Sequence, residues 1–144
     1  MSTTGIRVVI DTNVFITIVG SRSPFRWIFD AIIEGKLILC LSGEIILEYQ
    51  EILLRKTNEE VASNIVDFLT IHPFVVKSEP YFRFLLITQD MDDNKFVDCA
   101  ISANAFCIVS NDKHFKVLGK TSFPKVRVLD LPDFETLFKK KVSR

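Results

Sequence analysis

With 144 residues, 48% of them hydrophobic and 25% charged, the chain has the size and composition of one globular domain, which excludes a disordered or fibrous protein. Lys plus Arg and Asp plus Glu are equal at 18 each, so there is no global positive field to attract nucleic acid. A phosphate-bearing substrate would need a local basic patch or metal ions.

Three cysteines, Cys40, Cys99 and Cys107, are embedded in apolar sequence without ligand spacing. That pattern predicts reduced core thiols in a cytoplasmic protein rather than disulfides or a zinc site. The first residues carry no charged and apolar leader pattern, and no apolar run reaches membrane-spanning length, so neither a secretory signal nor a membrane span is expected.

In chain order, Arg7-Val-Val-Ile10 is a short β-branched run that ends abruptly at Asp11. Such a run, without polar alternation, predicts a central strand buried on both faces, with Asp11 at its carboxyl end. Helices are expected over 13–19 and 25–34, the second closed by Gly35, and a buried strand over 36–41. Ser42 then caps a strong helix to Arg55, and another amphipathic helix covers 58–72. Phe74-Val75-Val76 is a short strand. The stretch 78–89 is ambiguous, because Phe82, Leu85 and Leu86 suggest a helix that Pro80 and Ile87-Thr88 weaken. A helix is expected over 95–106, a strand over 107–110, a brief helix over 115–118, a strand over 125–129 and a last helix over 133–140. Strands alternating with helices predict a three-layer α/β/α sandwich around a parallel sheet of about five strands, occupying residues 1–144 as one domain.

Four acids fall where this architecture has an open edge. Asp11 and Asp112 each follow a strand, and Glu48 lies in the second turn of a helix that follows one. Asp98 shares a polar helix stripe with Asn94 and Ser102, because positions i and i+4 lie on one face. Ligands bind in open α/β sheets at the carboxyl ends of the strands. Four carboxylates gathered there repel one another and resist ionisation, a conflict that divalent cations resolve. An all-oxygen ligand set favours Mg²⁺ or Mn²⁺, the metals of phosphodiester hydrolysis. Each acid alone also fits a plainer role. Asp90 or Asp93 fits a helix cap, Glu44 fits the first turn of a helix, and Glu51 fits a surface pair with Arg55.

Taken together, Val9-Ile-Asp-Thr-Asn-Val-Phe15, Glu48 within Ser42-Gly-Glu-Ile-Ile-Leu-Glu, Asp90-Met-Asp-Asp-Asn-Lys-Phe-Val-Asp-Cys-Ala-Ile101 and Val109-Ser-Asn-Asp-Lys-His-Phe115 resemble the PIN domain family over nearly the whole chain. The likeness is to bacterial and archaeal members in toxin–antitoxin systems, related to VapC-type ribonucleases. It implies a Mg²⁺- or Mn²⁺-dependent endoribonuclease, a homodimer and an antitoxin partner. Carried over residue by residue, it implies that Asp11, Glu48, Asp98 and Asp112 bind metal and catalyse, with Asp93 as a fifth acid. Thr12, Asn13 and Ser110 would then orient carboxylates or water. For the RNA path the candidates are Arg22 and Arg26 around Phe25 and Trp27, and Asn94, Lys95, Lys113 and Lys116 near the acids. The alternative puts Phe25 and Trp27 in the core and leaves the arginines solvated. His72 is expected to be structural; for His114 a surface role is expected, with contact to substrate as the alternative that its position two residues after Asp112 offers.

Three rivals remain. A dehalogenase-like phosphatase requires an acid two residues after Asp11, where Asn13 stands. A receiver domain requires a phospho-accepting Asp after a central strand, which Phe74-Val75-Val76 does not supply. A non-catalytic RNA-binding domain of the same fold would not need the acids.

Overall fold

The computed structural model describes residues 5–87, 91–120 and 124–142. β1 (Ile6–Ile10), β2 (Leu37–Leu41) and β4 (Cys107–Val109) are the apolar runs expected as strands, and β2 and β4 are buried along their whole length. β3 (Val75–Lys77), as short as β4, and the two-residue β5 (Val128–Leu129) are partly exposed. All neighbours pair in parallel, in the order β3-β2-β1-β4-β5. β1 is therefore central, as the buried apolar run Val8–Ile10 requires, with Arg7 exposed before it. The chain builds β2 and β3 on one side of it, then returns to build β4 and β5 on the other. The strand order reverses between β1 and β4, and such a switch point opens a crevice at the carboxyl edge.

Parallel strands need long crossovers, and helices supply them, flanking the sheet. They are α1 (Thr12–Val19), α2 (Arg26–Ile33), α3 (Gly43–Lys56), α4 (Glu59–Ile71), α5 (Asn94–Ser102) and α6 (Leu131–Val142). Ser42 and Asn58 cap α3 and α4 by accepting from the backbone N–H groups of Ile45 and Val61. The core joins Val8, Leu39 and Ile108 of the sheet to Phe15, Ile32, Leu53 and Val97 of the helices. Phe15 of α1 stacks on Tyr49 of α3, with ring centroids 4.0 Å apart.

Two helix ends aim the chain into the strands beside β1, and they use the same device. After α2, Gly35 takes φ +81°, Gly35 N–H donates to Ile32 O at 3.2 Å, and Lys36 N–H donates to Ala31 O at 2.9 Å. After α5, Asn104 takes φ 53°, with matching bonds from Asn104 N–H to Ile101 O and from Ala105 N–H to Ala100 O. Both are Schellman closures. The second explains why α5 stops at Ser102 rather than running to Phe106 as its apolar spacing suggests. Phe106 N–H is taken by Arg7 O at 2.7 Å, which already belongs to the sheet.

Other differences are also local. The last strand pairs only over Val128–Leu129, because only Ile108 and Val109 of the short β4 face it. Residues 78–87 form no helix. They run as a strap fastened to the helix starts. Gly43 N–H donates to Glu79, Arg83 pairs with Glu44 at 2.9 Å, and Phe84 N–H donates to Asp98 at 3.1 Å. Asp90, considered above as a helix cap, lies outside the described residues. No helix among the described residues is long and apolar enough to cross a membrane. All three cysteines are buried as free thiols, and burial pushes those of Cys99 and Cys107 up to about 12.

A Cβ added at Gly35 would meet the Phe74 ring at 2.7 Å in a backbone conformation that L-residues avoid. Gly35→Ala is expected to destabilise the fold by about 1–3 kcal/mol, read as a lower urea midpoint at unchanged slope.

Candidate active site

Asp11 leaves β1 at the switch point, and its N–H extends the ladder to Val109 O at 3.1 Å. The side chain caps α1 by accepting from Val14 N–H at 2.9 Å, and its second oxygen accepts from the Ser110 hydroxyl. Only 6% of the residue is exposed. Burial pushes its carboxyl above the usual range, the hydrogen bonds from Ser110 and Val14 oppose that, and the charges of Asp112 and Glu48 add to it. Ser110 is the hinge of the site, because its oxygen also accepts the Asp112 N–H at 3.0 Å. One hydroxyl thus sets the positions of two acids.

Glu48 projects from the second turn of α3. One carboxylate oxygen accepts from the Thr12 hydroxyl, and the other pairs with the Lys95 ammonium at 2.6 Å. Lys95 also donates to Asp92 O at 2.8 Å, and its side chain is only 10% exposed. This cation is therefore already engaged with an acid rather than extended toward solvent. Asp93 sits at the N-cap position of α5 but makes no capping bond. Its carboxylate instead faces His114 Nδ1 at 3.3 Å, and the same nitrogen lies 3.4 Å from Asp112. Ligand atoms of Asp93, Asp112 and His114 all lie within 4.8 Å of one another.

Asp11, Thr12, Asn13, Glu48, Asp92, Asp93 and Asp112 line one cleft of about 260 Å³, walled on α3 by the Glu51–Arg55 pair at 3.2 Å. Three of the four expected acids meet there with Asp93, while Asp98 does not line it. Asp98 lies one helical turn further on, 1% exposed. Its Oδ1 holds Phe84 N–H, and Oδ2 has no hydrogen-bond partner among the described residues. Burial raises its carboxyl despite that bond and the nearby Arg83. The shared helix stripe had suggested that it reaches the edge, but the strap over 78–87 covers that part of α5.

The expected substrate contacts also need correction. Asn94 is 4% exposed, and its amide both accepts from Ile87 N–H at 2.9 Å and donates to Ile87 O at 2.8 Å, so it is a clamp for the strap. Arg26 pairs with Asp30 at 3.1 Å, donates to Val19 O and lies over Phe29. Trp27 stacks on Phe134, so that side of the molecule is packing. Arg22 and Lys113 are exposed, and Lys113 borders the acids. His72 stacks on Phe68 as a structural residue, whereas His114 faces two acids, a role its surface assignment missed. Its spacing of two from Asp112 was the available signal.

A parallel α/β sheet with acids converging at its switch point defines a class of acidic-site folds. Within it, residues 7–114 match the PIN domain, and the chain belongs to that family. Solved structures similar to it include VapBC2 from Rickettsia felis bound to a promoter DNA fragment (14% identity, TM-score 0.60) and VapBC-1 from nontypeable Haemophilus influenzae (17%, 0.58), each aligned over 87% of this chain and 98% of the other. The PIN domain endonuclease Utp24 is 18% identical, with a TM-score of 0.52 over 87% of this chain and 84% of its own. No curated protein sequence matches the chain.

Two outcomes follow from the site's electrostatics. Asp98 has a raised folded carboxyl, so the folded state holds the proton more tightly than the unfolded one, and stability falls as pH rises from the unfolded value through the folded one. Asp98→Asn should therefore gain on wild type as pH is raised from acid to neutral in metal-free buffer, measured by urea unfolding at each pH. Lys95→Met leaves Glu48 facing other acids without its ammonium. It is expected to cost about 1–3 kcal/mol in EDTA, and added Mn²⁺ should recover more stability in the variant than in wild type.

Proposed function

We propose that the chain is a metal-dependent endoribonuclease that hydrolyses RNA phosphodiester bonds, acting as the toxin of a type II toxin–antitoxin pair. The observation that carries the reading is the cleft in which Asp11, Glu48, Asp93 and Asp112 converge at the sheet's switch point. Oxygen donors with one imidazole suit Mg²⁺ or Mn²⁺, and the charge these acids concentrate is what a divalent ion neutralises. Such an ion would be held by Asp11, Glu48, Asp93 and Asp112, with His114 alongside, and when bound it supplies charge stabilisation at a phosphate and a more acidic water. Asp98 is left out of the set because it does not line this cleft; Phe84 N–H uses one of its two oxygens.

The chain's own residues hold that arrangement. Thr12 orients Glu48, Ser110 orients Asp11 and the Asp112 backbone, and Asn13, exposed on the first turn of α1, faces the same cleft. Among the described residues, no Ser–His or Cys–His pair offers a covalent route. His114 Nδ1 lies between Asp93 and Asp112 and holds the two carboxylates toward each other. The toxin assignment is supported by similarity to two VapBC structures, whose names denote toxin–antitoxin complexes, and nuclease activity by similarity to Utp24. A homodimer and an antitoxin are proposed on the same ground. Tyr81 and Phe82 of the strap and Leu47 of α3 are exposed and apolar, which suits a protein partner.

The decisive assay compares wild type, Asp11→Asn and Ser110→Ala on unstructured and structured RNA with Mg²⁺, Mn²⁺ or EDTA. Wild type should cut with metal and not in EDTA, and Asp11→Asn should be inactive. Ser110→Ala should lose about 10–100-fold in activity or metal affinity. Metal binding without any RNA cleavage by wild type would overturn the reading.

A further inference from the structure

The acid cleft concentrates negative charge where a phosphate must approach, and its own cations are engaged. Arg55 pairs with Glu51 and Lys95 with Glu48. On the other side of Asp112 lies a larger groove of about 650 Å³, between the 3₁₀ turn at 113–120 and β5. Asp112 lines both. Lys113 and Lys116 stand on the turn, with Lys125 and Arg127 on the approach to β5, and all four are exposed. Among the described residues none of them forms an ion pair, unlike Arg26, Lys36, Arg55, Arg83, Lys95 and Lys139 elsewhere. The Arg127 guanidinium rests 4.1 Å over the Phe106 ring, which restricts its rotamers without neutralising it.

Charge is also sorted along the groove. Asp130 and Asp133 follow β5 at the carboxyl edge, on the side of Asp112, and the Asp130 carboxylate is used by Asp133 N–H. Lys125 and Arg127 precede β5, toward the other end of the sheet. Lys125 and Arg127, held at the far end from the acids, and Lys113 and Lys116, beside Asp112, give the groove four cations along its length that complement a chain of phosphates.

Resting on the nuclease reading, we propose that this groove carries the single-stranded RNA on one side of the scissile phosphate. The acids sit in a cleft between helix ends, and only an unstacked strand is flexible enough to pass from there across Asp112. The groove's aromatic residue, Phe115, is 1% exposed and offers no stacking face. The grip is therefore on phosphates and indifferent to base sequence on this side.

The test measures anisotropy of a short unstructured fluorescent RNA in EDTA across a salt series. It compares wild type, the triple variant Lys116→Glu/Lys125→Glu/Arg127→Glu, the double variant Lys116→Glu/Lys125→Glu, which keeps the Arg127–Phe106 contact, and Lys77→Glu at the opposite sheet edge. Mn²⁺ affinity of each reports an intact site. Single strands lose roughly 0.7 in log–log salt slope per phosphate contact, so the triple variant should flatten the slope by about 2 and bind at least tenfold more weakly at low salt. The double variant should fall between it and wild type, and Lys77→Glu should match wild type. Unchanged slope and affinity in both groove variants, with Mn²⁺ binding retained, would overturn the proposal even if wild type cuts RNA. A groove-dependent slope in a protein that binds RNA but never cuts it would sink the nuclease reading and leave the groove assignment standing. Loss of affinity equal in Lys77→Glu and the groove variants would reduce the effect to net charge and also overturn it.

Discussion

A carboxylate at the end of a strand buried on both faces is costly unless something takes its charge, and Asp11 is in that position. Burial resists its ionisation, yet the strand cannot turn away, because its neighbours β2 and β4 hold it on both sides. Two donors offset part of that cost: the Val14 N–H in the first turn of α1 and the Ser110 hydroxyl. Ser110 directly follows β4, on the far side of the switch point, so the same bond that settles Asp11 ties the end of β1 to the segment carrying Asp112. One contact, added to the β1–β4 ladder, thus fixes Asp11 relative to Asp112.

The remaining acids are arranged by helix ends. α3 starts at a Ser cap and delivers Glu48 after one turn, where Thr12 meets it. α5 starts without a side-chain cap, because Asp93, the residue placed to provide one, turns toward His114. Giving up a cap costs roughly 1 kcal/mol, and departures of this kind from local preference are expected where function competes with stability. Lys95 offsets part of the resulting repulsion by reaching into the acids from within the fold.

Asp98 and Asn94 show how the same helix serves two purposes. Both are buried and polar, and both fasten the 78–87 strap: Asp98 through Phe84 and Asn94 through Ile87. The strap has no regular ladder of its own, so these side chains supply the hydrogen bonds that buried backbone requires. It also covers the face of α5 beyond Asp93. The strap thus limits which part of α5 is open, while the acid cleft itself is lined from the helix starts, α3 and the segment after β4.

Period and punctuation in the sequence determined most of the frame. The apolar run to Ile10 made β1 central, Ser42 started α3, Gly35 ended α2, and strand–helix alternation required a parallel sheet. Asp11 and Asp112 could be placed at its carboxyl edge because a strand end is a local feature. Tertiary structure alone decided which acid of the Asp90–Asp98 segment joins them. Helical spacing says which residues share a face but not what covers it, and the strap, which carries no periodic signal, covers Asp98 and leaves Asp93 open. It decided equally which cations are spent, since Lys95, Arg26, Lys116 and Arg127 look alike in sequence. Contacts between segments distant in the chain pair Lys95 with Glu48 and lay Arg127 over Phe106, whereas Arg26 is held by its near neighbours Val19 and Asp30 and Lys116 lines the groove.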